Sequence, residues 1–177
     1  TACIGLVTGQ IVGRWGNFFN REAFGRYTNS LFAMQLDRRS VDYVFTDRVS
    51  VQGLKQIYAG RQEALQRILE IRSNLVLVDG VEYIQVHPTF LYESVWNLCL
   101  LIFLILYTKR KRFDGEIALL YFAGYSLGRM WIEGLRTDQL FLWGTDLAVS
   151  QLLSGILLLV STVIIIWMGG RARKSKT

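Results

Sequence analysis

The chain has 177 residues, of which 51% are hydrophobic, 13% aromatic and only 19% charged, with a mean hydropathy of +0.28. A soluble domain carries about a quarter charged residues, so this balance excludes an ordinary soluble globule and points to lipid as the solvent. The formal charge of +6 does not make a nucleic-acid binder, because much of the Lys and Arg sits in two short clusters beside apolar runs, a placement that sets membrane topology.

The first candidate span, Ala2 to Phe19 (region 1–19), is interrupted by Gln10, Arg14 and Asn17 and carries Gly5, Gly9, Gly13 and Gly16. Glycines at this spacing line one helical face and let another helix approach, so the stripe predicts helix packing with the polar groups turned into a bundle. Cys3, like Cys99 further on, lies in an apolar stretch with no C-x-x-C pair and no neighbouring histidine. Both are expected to pack or face lipid, and no metal site is expected. The chain opens on Thr1 with neither an initiator Met nor a signal-peptide pattern, which reads as a fragment of a longer protein.

From Asn20 to Val86 (region 20–86) the chain becomes polar, with nine basic and eight acidic residues. Leu54, Ile57, Tyr58, Leu65, Ile68 and Leu69 recur at helical spacing among charged residues, predicting one amphipathic helix against the membrane surface or the bundle. Leu75–Val78 and Val81–Val86 flank Asp79-Gly80, the dipeptide of a tight hairpin. A small extramembrane α/β insertion is therefore expected.

The remainder (region 87–177) holds three clearer spans of the length a bilayer needs: Thr89–Tyr107, Glu116 to about Ile132, and Leu147–Met168. The fold class expected is an all-α integral membrane bundle of about four spans carrying that insertion. Lys109-Arg110-Lys111-Arg112 and the tail with Arg171, Arg173, Lys174 and Lys176 are assigned to the cytoplasm by the positive-inside rule. The segment 20–86 and the loop Gly134–Asp146 then lie outside.

This topology gathers polar residues near the outer ends of the spans: Arg14 and Asn17, then Glu93, then Arg129 and Glu133, with Arg136 just beyond. Arg129, Glu133 and Arg136 are spaced to share one helical face, with the carboxylate between two guanidinium groups. A structural ion pair would account for Arg129 with Glu133, and snorkelling for Arg136 alone. Three arginines against two intramembrane carboxylates, however, leave positive charge on the side where little is expected, which points to an anion such as a lipid phosphate. Asn17 and Asn20 could instead cap or cross-link helices, and Glu22 could pair with Arg21 or Arg26. His87, the only histidine, precedes the only proline and is read as the structural entry to a helix, not a general base. Tyr92 and the tryptophans are read as interface or packing residues. No G-x-S-x-G, His-Glu-x-x-His or P-loop is present, so serine hydrolase, zinc protease and nucleotide-driven pump find no support.

Gly13-Arg14-Trp15-Gly16-Asn17-Phe18-Phe19-Asn20-Arg21-Glu22-Ala23-Phe24-Gly25 resembles the signature G-R-x-G-N-F-x-N-x-E-x-x-G of prolipoprotein diacylglyceryl transferases. His87-Pro88-Thr89-Phe90-Leu91-Tyr92-Glu93 is similar to that family's H-P-x-x-x-Y-E, and Gly128-Arg129 through Glu133 to Arg136 resembles its G-R-x-x-x-E-x-x-R. The resemblance covers essentially the whole chain, the segment from Tyr27 to Gln85 being the least diagnostic.

It implies transfer of a diacylglyceryl group from phosphatidylglycerol to the lipobox cysteine of a prolipoprotein, with release of glycerol phosphate, at the outer face of a bacterial cytoplasmic membrane. Arg14 and Asn17 would hold the headgroup, Arg129 would stabilise the departing phosphate, Glu22 and Glu133 would orient the arginines, and Gly25 would allow close approach. Arg136 joins them as a binding residue by its place in the motif, and no metal or organic cofactor is called for. The family's His-Gly-Gly stretch, thought to supply the group that activates the thiol, lies upstream of Thr1, so the chain is expected to hold only part of its catalytic site. The partners implied are phosphatidylglycerol, a lipobox peptide and the bilayer, with no nucleic acid. A rival reading from the residues alone is a fragment of a transporter or channel for an anionic solute, with Arg14, Arg129 and Glu133 along its path. Another is a membrane scaffold whose amphipathic segment binds a partner.

Overall fold

A computed structural model describes residues 2–141 and 148–174. Thr1, the expected start of the last span at Leu147, the end of the expected outer loop at Asp146, and Lys176 of the basic tail lie outside the described residues.

Four long helices occur where spans were expected: α1 (Ala2–Asn20), α4 (Thr89–Tyr107), α5 (Glu116–Glu133) and α6 (Val149–Lys174). Between α1 and α4 lies a head built from β1 (Met34–Asp37), α2 (Val51–Ile57), α3 (Gln62–Ser73), β2 (Val76–Val78) and β3 (Val81–Val86). Two helical segments among the described residues are long and apolar enough to cross a membrane, Thr89–Arg110 and Val149–Lys174. Helices α1 and α5 are less apolar because they carry polar residues: Gln10, Arg14 and Asn17 in one, Glu116, Arg129 and Glu133 in the other.

In the bundle α1 packs on α4, α4 on α5, and α5 on α6. Val7, Leu100, Leu104 and Tyr121 form its buried centre, with Cys3 and Ile11 against them. The glycine stripe does not make this contact. A Cβ added at Gly5, Gly9, Gly13 or Gly16 meets nothing within 4 Å. At 100° per residue these positions fall on the side of α1 opposite Val7 and Arg14, so the face that packs on α4 is the one with larger side chains.

The head has its own core of Phe24, Leu36, Val44, Phe45, Leu54, Ile68, Ile71, Ile84 and Val86. The sheet order is β1-β3-β2, all antiparallel, with Leu36 opposite Ile84 and Met34 opposite Val86. Asp79 and Gly80 both adopt positive φ, 49° and 78°, which is the mirror-image turn the dipeptide favours. The expected single amphipathic helix is two. Gly60 takes φ +79° and breaks the chain between α2 and α3. Leu54 from one and Ile68 and Ile71 from the other converge on the same core. Those three residues are covered by the sheet and short turns of the head itself. Buried Arg38 ties the head together: its guanidinium donates to the Phe45 carbonyl at 3.0 Å and reaches Glu82 at 2.6 Å and Asp47 at 2.5 Å.

Candidate functional site

Where the head meets the bundle, three distant segments are stitched into one layer. The loop after α1 is tied by backbone bonds to the β3–α4 junction, Gly25 N–H to the His87 carbonyl at 2.9 Å and His87 N–H to the Arg26 carbonyl at 3.1 Å. It is tied also to the chain beyond α5, Arg26 N–H to the Leu135 carbonyl at 2.8 Å and Thr137 N–H to the Phe24 carbonyl at 3.3 Å. The Thr89 hydroxyl adds a bond to the Ala23 carbonyl. Gly25 is required by proximity: a Cβ there would lie 2.7 Å from the His87 Cβ and 3.1 Å from the Leu135 carbonyl oxygen. Arg21 and Ala23 in this loop both hold φ of 56°, a left-handed conformation that costs a non-glycine residue about 1–2 kcal/mol and persists only where the surroundings enforce it.

This stitching brings arginines from three segments to one carboxylate. Glu93, 5% exposed and one turn inside α4, receives Arg14 Nε at 2.7 Å on Oε2, Arg129 Nη1 at 3.4 Å on the same oxygen, and Arg136 Nη1 at 3.7 Å on Oε1. Glu133, 4% exposed, stands 3.1 Å from Arg129 and 4.0 Å from Arg136. These are ion-pair separations without hydrogen-bond alignment, and its Oε2 has no hydrogen-bond partner among the described residues. Removing such carboxylates from water is costly unless cations surround them, so each group holds the others in place.

Two expectations are corrected. Helix α5 ends at Glu133 with Gly134 as its cap, so Arg136 is not on the helical face of Arg129. It returns through the turn and pairs with Gly25 in an isolated bridge. Its guanidinium grips Asp138 through two bonds of 2.9 and 2.7 Å. Asp138 is thus a third carboxylate, and the three arginines face three acids, so the surplus of charge read from the sequence is absent from this cluster. Burial disfavours the charged form of Arg136, but Asp138, with help from Glu133 and Glu93, outweighs it and holds the guanidinium more firmly protonated than usual.

What remains open is donor capacity. Arg14 engages Glu93 through Nε alone, which leaves its terminal nitrogens without a partner among the described residues. Arg14 and Arg129 keep 19% and 20% of their side chains exposed. A guanidinium held on one edge by a carboxylate and open on the other is shaped to take a further oxyanion.

Asn17 is on α1 one turn past Arg14, half-buried, and its carbonyl accepts the Glu22 N–H at 3.1 Å. Glu22 is exposed and its recorded side-chain contact is with Asn20, at 3.1 Å, so the fold brings it to neither Arg14 nor Arg129. It lines a cavity of about 410 Å³ between the loop Asn20–Phe24, the head residues Asp42, Phe45 and Tyr58, and Asp138. That cavity shares Asp138 with the arginine cluster but does not include the arginines. His87 lies just ahead of α4, before Pro88, as expected. Its Nδ1 is 3.0 Å from the Tyr92 hydroxyl, and burial, then the nearby Arg26 charge, hold its pKa below the ordinary imidazole value.

The sequence reading gives Glu93 as an intramembrane counter-charge and a motif position but not as the centre of the cluster, and it does not find Asp138, Gln139 or Trp96. The Gln139 amide donates to the Glu133 carbonyl. The Trp96 indole donates to the Gly124 carbonyl at 2.9 Å and fills the space that any Cβ at Gly128 would need, which explains the glycine preceding Arg129. The available signal for Trp96 was its position three residues after Glu93 on the same helical face.

Residues 1–167 match the family model described as prolipoprotein diacylglyceryl transferase. Among curated proteins, the chain is 37% identical over 162 residues to the phosphatidylglycerol--prolipoprotein diacylglyceryl transferase of Listeria welshimeri, covering 92% of this chain and 46% of that protein. It is 38% identical over 169 residues to the protein of the same name from Synechocystis, covering 92% and 47%, and 36% identical over 161 residues to that from Clostridium novyi, covering 91% and 48%. The chain spans about half the length of these curated relatives.

Proposed function

Because this chain belongs to the prolipoprotein diacylglyceryl transferase family, we propose that it supplies the phosphate-handling part of an enzyme that moves diacylglycerol from phosphatidylglycerol to a prolipoprotein cysteine. In that reaction the cysteine thiolate attacks the glyceryl carbon bearing the phosphate ester. The C–S bond forms, the C–O bond breaks, and glycerol phosphate leaves with the electron pair. The thiol proton goes to a base, which the resemblance assigns to a stretch outside this chain; the attacking species must be the thiolate.

The observation that carries the reading is the convergence on Glu93 of one nitrogen each from Arg14, Arg129 and Arg136. Guanidinium groups fixed before the reaction stabilise charge that grows on a leaving phosphate without reorganising. Arg14, with Asn17 beside it, takes the headgroup; Arg129, steadied by Glu133, takes the developing charge. Glu22 acts on the loop through Asn20 and not on the arginines directly.

In this reading all four long helices cross the cytoplasmic membrane. Arg14 of α1 and Arg129 and Glu133 of α5 are turned toward Glu93 and one another, which is how polar residues are tolerated at that depth. The basic ends of α4 and α6 face the cytoplasm and the head and arginines face outward. The test is transfer of radiolabelled glycerol from phosphatidylglycerol to a lipobox peptide by the full-length gene product, with Arg14→Ala and Arg129→Ala beside it. Transfer that requires both arginines supports the proposal; none from a well-folded protein overturns it.

A further inference from the structure

At the opposite end of the bundle from Glu93, the turn between α4 and α5 meets the end of α6. Seven basic residues gather there, Lys109 to Arg112 together with Arg171, Arg173 and Lys174, against Asp114 and Glu116. The two acids are already engaged. Glu116, fully buried, holds the Arg112 side chain at 2.6 Å and accepts from Tyr107 at 3.0 Å. Asp114 holds Lys111 at 2.8 Å. Among the described residues Lys109, Arg110, Arg171 and Lys174 have no carboxylate partner.

Charge alone would serve topology. Here it borders a recess of about 310 Å³, almost wholly apolar, lined by Phe113, Trp167, Met168, Ala172 and Arg171. The Arg112 guanidinium, fixed by Glu116, lies against Gly169, where an added Cβ would be 3.0 Å from its Nη1. Arg171 is folded over the Trp167 ring with its central carbon 4.6 Å from the centroid. An apolar slot on the side of a helix with a cation held at its mouth matches a molecule with an anionic head and an apolar tail, and bilayers supply one at that depth.

We propose that this recess binds an anionic phospholipid of the cytoplasmic leaflet, with one acyl chain against Phe113, Trp167 and Met168 and the phosphate under Arg171. Lys109, Arg110 and Lys174 raise the local concentration of such lipids. The site is separate from the arginine cluster and does not depend on the reaction proposed above. It fixes the depth of α6 relative to the α4–α5 turn.

The test uses the full chain in phosphatidylcholine vesicles doped with lipid brominated on its acyl chains, either phosphatidylserine or phosphatidylcholine. Tryptophan quenching is read as the difference between the unaltered chain and Trp167→Phe, which isolates Trp167. Brominated phosphatidylserine should quench Trp167 more strongly, in line with an enrichment of about fivefold for each basic residue at the membrane surface. The excess should fall in Arg171→Gln, return in Arg171→Lys, and shrink as salt is raised. Equal quenching by the two lipids, or an excess that survives Arg171→Gln, overturns the proposal and leaves the cluster as a topology determinant only.

Discussion

Arg14 from α1 and Arg129 from α5 reach the same oxygen of Glu93, at 2.7 and 3.4 Å. Two like charges can share one acceptor only while that acceptor stays ionised and fixed. The site's integrity should therefore depend more on this one carboxylate than on either arginine.

Glu93→Gln keeps the shape and removes the charge. Left with three guanidinium groups and no central anion, the protein should lose about 3–5 kcal/mol, the range for breaking a buried ion pair. Thermal unfolding in detergent measures this. Asp138→Asn, whose carboxylate is 47% exposed, should cost well under half as much, because water can replace it.

Arg129→Lys should not rescue Arg129→Ala. Arg129 uses Nη1 toward Glu93 and Nη2 toward Glu133, a two-pronged geometry that a single ammonium cannot reproduce. In the glycerol-transfer assay both variants should lose about 100- to 1,000-fold in kcat. If the lysine variant instead restores most of the rate, the fork is not what matters.

Gly25→Ala tests the stitched layer. The new methyl would lie 2.7 Å from the His87 Cβ, an overpacking expected to cost about 1–3 kcal/mol. Gly13→Ala on the open face of α1, where an added Cβ meets nothing within 4 Å, should cost none of that in the same chain. Comparing the two melting temperatures separates steric need from motif membership.

The pH dependence of stability should carry a mark of His87. Burial first and Arg26 second depress its pKa in the folded chain. The unfolded chain therefore takes up a proton near the ordinary value of about 6.5 while the native chain does not. The stabilisation is complete above that pH and is lost progressively as pH falls from there through the lower folded value. His87→Gln should flatten this part of the profile, measured by unfolding at a series of pH values; an unchanged slope would assign the dependence elsewhere.

The parts of the fold that could be read in the sequence were those governed by local rules. Asp79-Gly80 announced its turn because few dipeptides tolerate two positive φ values, and Pro88 marked the entry to α4 because its missing N–H is harmless there. Strand β1 was hidden: Met34–Asp37 is four residues long and alternates only through Leu36. The break at Gly60 was hidden as well, since apolar spacing continues across it and the stop comes from backbone conformation. At the site, Arg14, Arg129, Glu133 and Arg136 were legible because charge among apolar residues is conspicuous. Their convergence on Glu93, and the neutralising hand of Asp138, depend on pairings between segments that no spacing within one helix encodes.

The Thr89–Ala23 and Thr137–Phe24 bonds join residues 66 and 113 positions apart. A chain emerging from the ribosome makes the loop after α1 long before it makes the stretch beyond α5. Until that last stretch arrives, Arg14 has Glu93 but no Arg129 opposite it, and the loop that holds Arg21 and Ala23 in their left-handed turns is tied on one side only, to the β3–α4 junction. Assembly of the charged layer is thus a late event in biogenesis, and a chain stalled before α5 would hold its lone arginine without the constellation that makes it useful.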